Sequence, residues 1–193
     1  MPDLLDKFAL LKQVRSHRSS WDASFRPANV EPAGPGEESV WNYPRPPIVT
    51  LADDELRVLA GDVAVAQSTG VLWLKETASA PTAYFPPSDV KTELLRANGG
   101  VSVCEWKGAA TAFDAILPDG HTIQDAAWCY PDPFDDLPEG YAQIAGWYAF
   151  YPAKLDCFVG KERVRPQGGG FYGGWVTDRI KGPIKGEAGS SGW

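Results

Sequence analysis

Short apolar segments alternate along the chain with glycine, proline and polar residues. The segment VLWLKE at residues 71–76 places apolar side chains on both of its alternating faces, which is typical of a strand covered on two sides. Comparable segments predict strands at residues 56–60, 63–67, 82–85, 101–106, 109–117, 122–130, 146–151 and 155–159. The pattern therefore predicts a protein built mainly from β-strands.

The connections between these strands are too short to hold a crossover helix, so we expect antiparallel sheets. Gly61-Asp62, for example, separates two predicted strands and is typical of a hairpin turn. One short helix is predicted at residues 89–95, with Ser88 as its N-cap and Asn98-Gly99-Gly100 beyond its end. The expected fold class is mostly β, a compact antiparallel β-barrel or sandwich with one short helix.

The two ends of the chain differ from this middle part. Residues 3–15 have a helical period, and the positions that share it are Leu4, Leu5, Phe8, Leu11 and Lys12, with Val14 close to them. Residues 166–193 are rich in glycine but also carry large apolar side chains, so they predict an arm that wraps the domain rather than a disordered tail. We therefore divide the chain into a helix and Pro/Gly linker at 1–37, a β-rich core domain at 38–165 and a C-terminal arm at 166–193.

Composition narrows the class of protein. The net charge of −7 and the isoelectric point near 4.8 argue against binding to nucleic acid or to an anionic membrane surface, both of which need clustered Lys and Arg. No run approaches about 20 apolar residues, so no membrane span is expected, and the polar start of the chain does not predict a signal peptide. We expect a cytoplasmic protein with no nucleic-acid or membrane partner.

The cysteines do not predict a disulfide framework. There are three of them, Cys104, Cys129 and Cys157, and they are widely spaced. No C-x-x-C pair and no histidine accompanies them, so we expect no metal site. The sequence also lacks a phosphate-binding glycine motif, and no cofactor is expected.

The segment CEWKG at residues 104–108 places the most reactive groups together. The ammonium of Lys107 would lower the pKa of a neighbouring thiol, which makes Cys104 a candidate nucleophile. Such a thiol usually needs a histidine as its base, and His17 and His121 both lie in segments expected at the surface. The alternative is that Cys104 is a buried structural residue.

Glu76 is the candidate for acid–base chemistry. It ends a predicted strand whose same-face neighbours are apolar, and a carboxylate in that position must be paired or its pKa rises. Lys107 and Arg45 are the expected partners. The pattern predicts either a structural ion pair or a carboxylate available for catalysis.

Aromatic residues cluster in the same parts of the chain and predict a pocket for a flat or polar small molecule. Ordinary core packing is the alternative explanation. The residues we expect to bind a ligand are Trp41, Arg45, Glu76, Tyr84, Trp106, Lys107, Trp128 and Tyr130.

Five segments between residues 38 and 165 together resemble the domain-of-unknown-function 427 family. They are ESVWNYPRPP at 38–47, ET at 76–77 with PTAYFPP at 81–87, CEWKG at 104–108, AAWCYP at 126–131 and AFYP at 149–152. The resemblance implies a small antiparallel, tent-like β-sandwich or barrel, and the glycine-rich tail resembles the C-terminal extension of one subgroup. It implies no established function.

This family is sometimes labelled nucleotidyltransferase, an activity that needs paired carboxylates to hold Mg²⁺ beside a Gly-Ser turn. The acidic pairs here, Asp53-Asp54 and Asp135-Asp136, lie in a hairpin and in a Pro-rich loop. The sequence therefore disfavours nucleotidyl transfer.

Three functions stay open at this point. The chain is a module that binds a small molecule, an enzyme that uses Glu76 or Cys104, or an interaction protein that forms a homodimer or meets a protein partner through its terminal segments. We expect the first of these.

Overall fold

The computed structural model describes residues 6–19, 25–137 and 140–190. One α-helix, α1, covers Lys7–Ser19. Fifteen strands follow: β1 Glu38–Ser39, β2 Ile48–Leu51, β3 Leu56–Ala60, β4 Val63–Ser68, β5 Leu72–Lys75, β6 Thr82–Phe85, β7 Leu95–Cys104, β8 Gly108–Ile116, β9 Thr122–Cys129, β10 Tyr148–Phe150, β11 Asp156–Val159, β12 Glu162–Arg163, β13 Arg165–Pro166, β14 Trp175–Val176 and β15 Ile180–Lys181. Short 3₁₀ turns at Val40–Asn42, Pro87–Asp89, Thr92–Leu94 and Ala142–Ile144 connect them.

The strands form two larger sheets and two small ones. A seven-stranded sheet has the order β2-β5-β6-β10-β9-β8-β7, and a four-stranded sheet has the order β12-β11-β3-β4. All pairings within both are antiparallel. The predicted mostly-β, antiparallel, sandwich-like fold is confirmed, and among the described residues the sheets do not close into a barrel.

The central strands of the seven-stranded sheet, such as β6 and β10, are buried on both faces because they are apolar at successive positions. On β6, Phe85 joins the main core cluster, which also includes Val58 of β3, while the preceding Tyr84 joins a second cluster on the opposite face. On β10, Phe150 and Ala149 divide between the two clusters in the same way. The second face, with the aromatic residues of β6 and β9, is the one that carries the site described below.

The predicted helix at 89–95 is wrong. The structure has 3₁₀ turns at Pro87–Asp89 and Thr92–Leu94, and strand β7 already begins at Leu95. Residues 98–100 do not end a helix but form an irregularity within β7, where the register to β8 shifts. The Asn98 side chain stabilises it by donating hydrogen bonds to Asp114 and Asp125, at 2.7 and 2.8 Å.

The N-terminal helix is confirmed, but with different bounds from the predicted 3–15. Residues 3–5 lie outside the described part of the chain, and α1 continues to Ser19. Its buried residues are Leu10 and Val14, which pack with Phe134, whereas Phe8 is 79% exposed. The predicted apolar face was therefore partly wrong. No helix in the described ranges is long and apolar enough to cross a membrane.

Near the C-terminus, β13 and β14 pair as an antiparallel hairpin. Residues 167–174, which we call the cavity loop, connect the two strands. The next strand, β15, pairs in parallel with β1, so residues from both ends of the chain meet in one small sheet.

Candidate functional site

A cavity of about 230 Å³ lies on the second face of the seven-stranded sheet. Its wall is formed by strands β5 and β6, the end of β7, residues after β9 and the cavity loop. Six of the eight residues predicted to bind a ligand line it, namely Arg45, Glu76, Tyr84, Lys107, Trp128 and Tyr130. Cys104, a candidate nucleophile, lines it as well.

The two remaining predicted residues lie outside this cavity. Trp41 packs in a separate cluster near the C-terminal segment, and its indole N–H donates to the carbonyl of Pro183 at 2.7 Å. Trp106 is 5% exposed and belongs to the second core cluster, where the guanidinium carbon of Arg18 lies 5.5 Å from its ring centre. Both indoles therefore pack against protein groups.

Glu76 and Arg45 form a buried ion pair. The Nε of Arg45 donates to Oε1 of Glu76 at 2.8 Å, and its Nη2 donates to the same oxygen. The side chains are 7% and 14% exposed. The structural ion pair that the sequence allowed is present, and it is Arg45 rather than Lys107 that supplies the positive charge.

Lys107 is a buried cation, 8% exposed, on the cavity wall. Among the described residues, its ammonium forms no ion pair or hydrogen bond, and its Nζ lies 5.7 Å from the ring centre of Tyr130. Burial acts to lower the pKa of Lys107, but the groups around it, led by Cys104 and Tyr130 and including Glu76, outweigh burial and hold its pKa well above the ordinary value.

The hydroxyl of Tyr84 is fully buried beside Lys107 on the same wall. It has no well-aligned hydrogen-bond partner among the described residues; the Trp128 side chain is close to it but does not meet hydrogen-bond geometry. Burial raises the pKa of Tyr84 to about 12, with the charge of Lys107 acting in the opposite direction. Tyr84 and Lys107 thus line one cavity, but the Tyr84 hydroxyl oxygen itself is buried within the wall.

Cys104 lies at the end of β7 and is half-buried, with Sγ 3.8 Å from a carboxylate oxygen of Glu105. Neither histidine of the chain lines the cavity. Burial raises the pKa of the Cys129 thiol to about 11 and also raises the pKa of the Cys157 thiol. Cys104 is the most accessible thiol of the three, because Cys129 and Cys157 are both buried.

Aromatic rings hold the wall around Trp128. Its ring centre lies 4.4 Å from that of Tyr151 and 6.4 Å from that of Tyr84, the latter in an edge-to-face arrangement. Such contacts fix the rings and make the cavity a preformed feature.

Sequence reasoning missed the contribution of the C-terminal segment. Gln167, Tyr172 and Lys185 all line the cavity. The ammonium of Lys185 lies 5.7 Å from the ring centre of Tyr172, and burial, with the nearby charge of Arg45, lowers the pKa of Lys185. The signal for this contribution was the two runs of glycine at residues 168–170 and 173–174, which allow close backbone approach.

The acidic pairs lie away from this cavity. Asp54 pairs with Arg179, and Asp135 and Asp136 pair with cations of α1. Within the described ranges, no group of three or more His, Cys, Asp or Glu residues is placed to hold a metal ion.

Comparison with known families shows to which family the chain belongs. Residues 48–161 match the model of the domain of unknown function DUF427, so this protein belongs to the DUF427 family, as its sequence segments indicated. No curated protein matches the chain. Arg45, the cavity loop and Lys185 all lie outside the matched residues, although they line the same cavity as Glu76 and Lys107.

Proposed function

We propose that this protein binds a small organic molecule with one anionic group and a flat apolar part in the cavity described above. The observation that carries the proposal is the buried ammonium of Lys107, which has no ion-pair partner among the described residues. Burying a cation is costly unless an opposite charge or hydrogen bonds compensate it. An anionic ligand would supply that compensation.

The neighbouring groups support the same ligand class. The rings of Trp128 and Tyr130 line the cavity and would pack against a flat apolar part. Glu76 would not repel the anion, since Arg45 pairs with its carboxylate. We also propose a cytoplasmic location, which suits the three free cysteines.

Isothermal titration calorimetry with two probes of one shape tests this proposal. Benzoate should bind the wild type, and benzamide, its neutral analogue, should bind at least about tenfold more weakly, because a hydrogen bond to a charged group is worth about 1.5–3 kcal/mol. The variant Lys107→Met should lose a similar factor for benzoate. Lys91→Met, at an exposed lysine outside the cavity, is the matched control. Equal affinities for the two probes, or no benzoate binding, would contradict the proposal.

An enzymatic role is the second candidate, because Cys104 lines the same cavity as Lys107. A bound electrophile would meet a half-buried thiol there. If the protein turns over a substrate, Cys104→Ser should abolish turnover while leaving benzoate affinity unchanged. Loss of benzoate binding together with turnover would instead assign Cys104 to binding.

A further inference from the structure

We infer that the cavity loop, residues 167–174, is a size filter that limits which molecules reach the cavity. Gln167, Phe171, Tyr172, Gly173 and Gly174 of this loop all line the cavity. The loop lies beyond residues 48–161, which match the family model. The inference uses the proposed function only for the class of ligand, since access to the cavity can be measured without one.

Both ends of the cavity loop are fixed to the protein core. Gln167 is buried, and its side chain accepts from the backbone N–H of Ala80 at 3.1 Å and donates to the carbonyl of Lys185 at 2.8 Å. At the other end, Trp175 is 1% exposed, and its backbone N–H donates to Pro81 at 2.8 Å. The loop therefore cannot leave the cavity without breaking contacts at these anchors.

Gly173 brings the loop directly onto the cavity wall. A Cβ atom built at this glycine would lie 2.1 Å from Cη2 and 2.7 Å from Cζ3 of Trp128, far inside any normal contact. Gly174 is equally confined on its other side, where a Cβ would lie 2.1 Å from Oε1 of Gln167 and 2.9 Å from the carbonyl of Ala80. The backbone here lies against the indole that lines the cavity, and only glycine permits that approach.

The tip of the loop is open at two residues. Phe171 is 68% exposed, and a Cβ atom built at Gly170 would meet nothing within 4 Å. Tyr172 contacts the Lys185 ammonium through its ring. A loop with fixed ends, a tight contact at Gly173 and an exposed tip would admit small molecules and obstruct bulky ones.

The half-buried thiol of Cys104 reports on access to the cavity. N-ethylmaleimide and N-(1-pyrenyl)maleimide add to a thiol by the same reaction but differ in size. Their reaction rates at Cys104 are measured by peptide mass spectrometry on the full chain. Each rate is divided by the rate of the same reagent with glutathione. The two normalised rates then compare the access of a small and of a bulky molecule to Cys104. In the wild type, the normalised pyrenyl rate should be lower by about tenfold or more, the factor that a barrier of about 1.4 kcal/mol produces.

Gly173→Ala should raise the normalised rate of N-(1-pyrenyl)maleimide at Cys104 by about tenfold, because the added methyl group must displace the loop from Trp128. The normalised rate of N-ethylmaleimide should change by less than about threefold. The matched control is Gly70→Ala, where the nearest atom to the new methyl group, Oγ of Ser68, lies at 3.7 Å. If Gly173→Ala does not fold, as judged by circular dichroism, Tyr172→Ala should produce the same increase by removing a lining side chain.

Two results would overturn the inference: equal normalised rates for both reagents in the wild type, or unchanged pyrenyl rates in the folded loop variants. A failure of the proposed function would look different, because benzoate would then not bind while the size discrimination at Cys104 persisted. Where benzoate does bind, biphenyl-4-carboxylate should bind Gly173→Ala more tightly than it binds the wild type. Equal affinity of the longer probe for both would also count against the filter.

Discussion

Tyr84 is a residue whose hydroxyl should lower the stability of the fold. This hydroxyl is fully buried without an aligned partner, and a buried polar group in that state costs about 1–3 kcal/mol. We predict that Tyr84→Phe raises the free energy of unfolding by about 1 kcal/mol in urea titrations at neutral pH. A less stable Tyr84→Phe protein would show that the hydroxyl has a partner in solution.

The same variant has a distinct pH dependence. Because burial raises the pKa of Tyr84 to about 12, above its unfolded value of about 10, the folded state keeps its proton longer than the unfolded state. This tighter hold on the proton stabilises the folded wild type fully below about pH 10, and the stabilisation is lost as the pH rises towards about 12. Tyr84→Phe should show a shallower alkaline decline, and parallel curves for the two proteins would contradict the shift.

The ion pair of Arg45 and Glu76 gives a second prediction at this scale. Arg45→Met should lower the free energy of unfolding by about 3–5 kcal/mol, because it leaves the carboxylate of Glu76 buried and unpaired. Arg165→Met is the matched control: Arg165 and Asp178 lie 2.6 Å apart but are 55% and 80% exposed, so their loss should cost at most about 1 kcal/mol. Chemical denaturation measures the free energy of unfolding of both variants. Equal losses in the two would show that burial does not strengthen the pair of Arg45 and Glu76.

Single residues were predictable where local pattern determines their environment. Glu76 followed apolar neighbours on a strand, which is why a buried, paired carboxylate could be expected. Of its two expected partners, Lys107 and Arg45, it is Arg45 that forms the pair, and no local pattern distinguishes two cations that are distant in sequence. Lys185 was missed for the same reason, since the chain path that brings it to the cavity is a property of the whole fold.

At the scale of elements, the strands with strict alternation were predicted closely. The segment at 71–76 contains β5, which is packed on both faces as expected. The prediction of a helix at 89–95 was wrong because Ser88 resembles a helix N-cap in the sequence. In the structure its hydroxyl donates to Asp89 and caps no helix. Pairing of the following residues with β8 provides hydrogen bonds that a helix of one or two turns could not match.

Helix α1 is held to the rest of the protein by apolar contacts and by ion pairs, and Arg18 makes the least exposed of these pairs. This side chain is 10% exposed, donates to the carbonyl of Glu105 at 2.5 Å and pairs with Asp136 at 2.7 Å. Arg18→Ala should cost about 1–3 kcal/mol and accelerate deuterium exchange of the α1 amides.

Arg15 supplies the control for that prediction. It lies on the same helix and approaches the same carboxylate of Asp136, but at 4.0 Å and with 65% of its side chain exposed. Arg15→Ala should therefore leave both the stability and the exchange of α1 close to wild-type values. Similar exchange in both variants would mean that Leu10 and Val14 alone hold the helix.

At the scale of the whole molecule, the C-terminal segment belongs to the main core as well as to the cavity. Trp175 is 1% exposed, its ring centre lies 5.8 Å from those of Phe85 and Trp73, and its indole donates to the carbonyl of Phe150. Trp175→Ala should lower the free energy of unfolding by about 3–5 kcal/mol. Phe171→Ala, at a 68% exposed position in the same segment, should change it by less than about 0.5 kcal/mol.

Thermal unfolding of these two variants also bears on the predicted boundary at residue 165. If Trp175→Ala is as stable as Phe171→Ala, the region at 38–165 is stable without its arm. The large difference that we expect would mean that the boundary separates two patterns of sequence but not two folding units.

The pairing of β1 with β15 has a consequence for how the protein is made. Trp41 donates to Pro183, a residue 142 positions later, and strand β1 finds its parallel partner only at residues 180–181. The ribosome makes residues 180–181 long after residues 38–39, so β1 has no strand partner until synthesis has reached β15. The cavity loop and Lys185 are likewise made after all strands of the two larger sheets. A nascent chain can therefore pair these sheets before its cavity is complete.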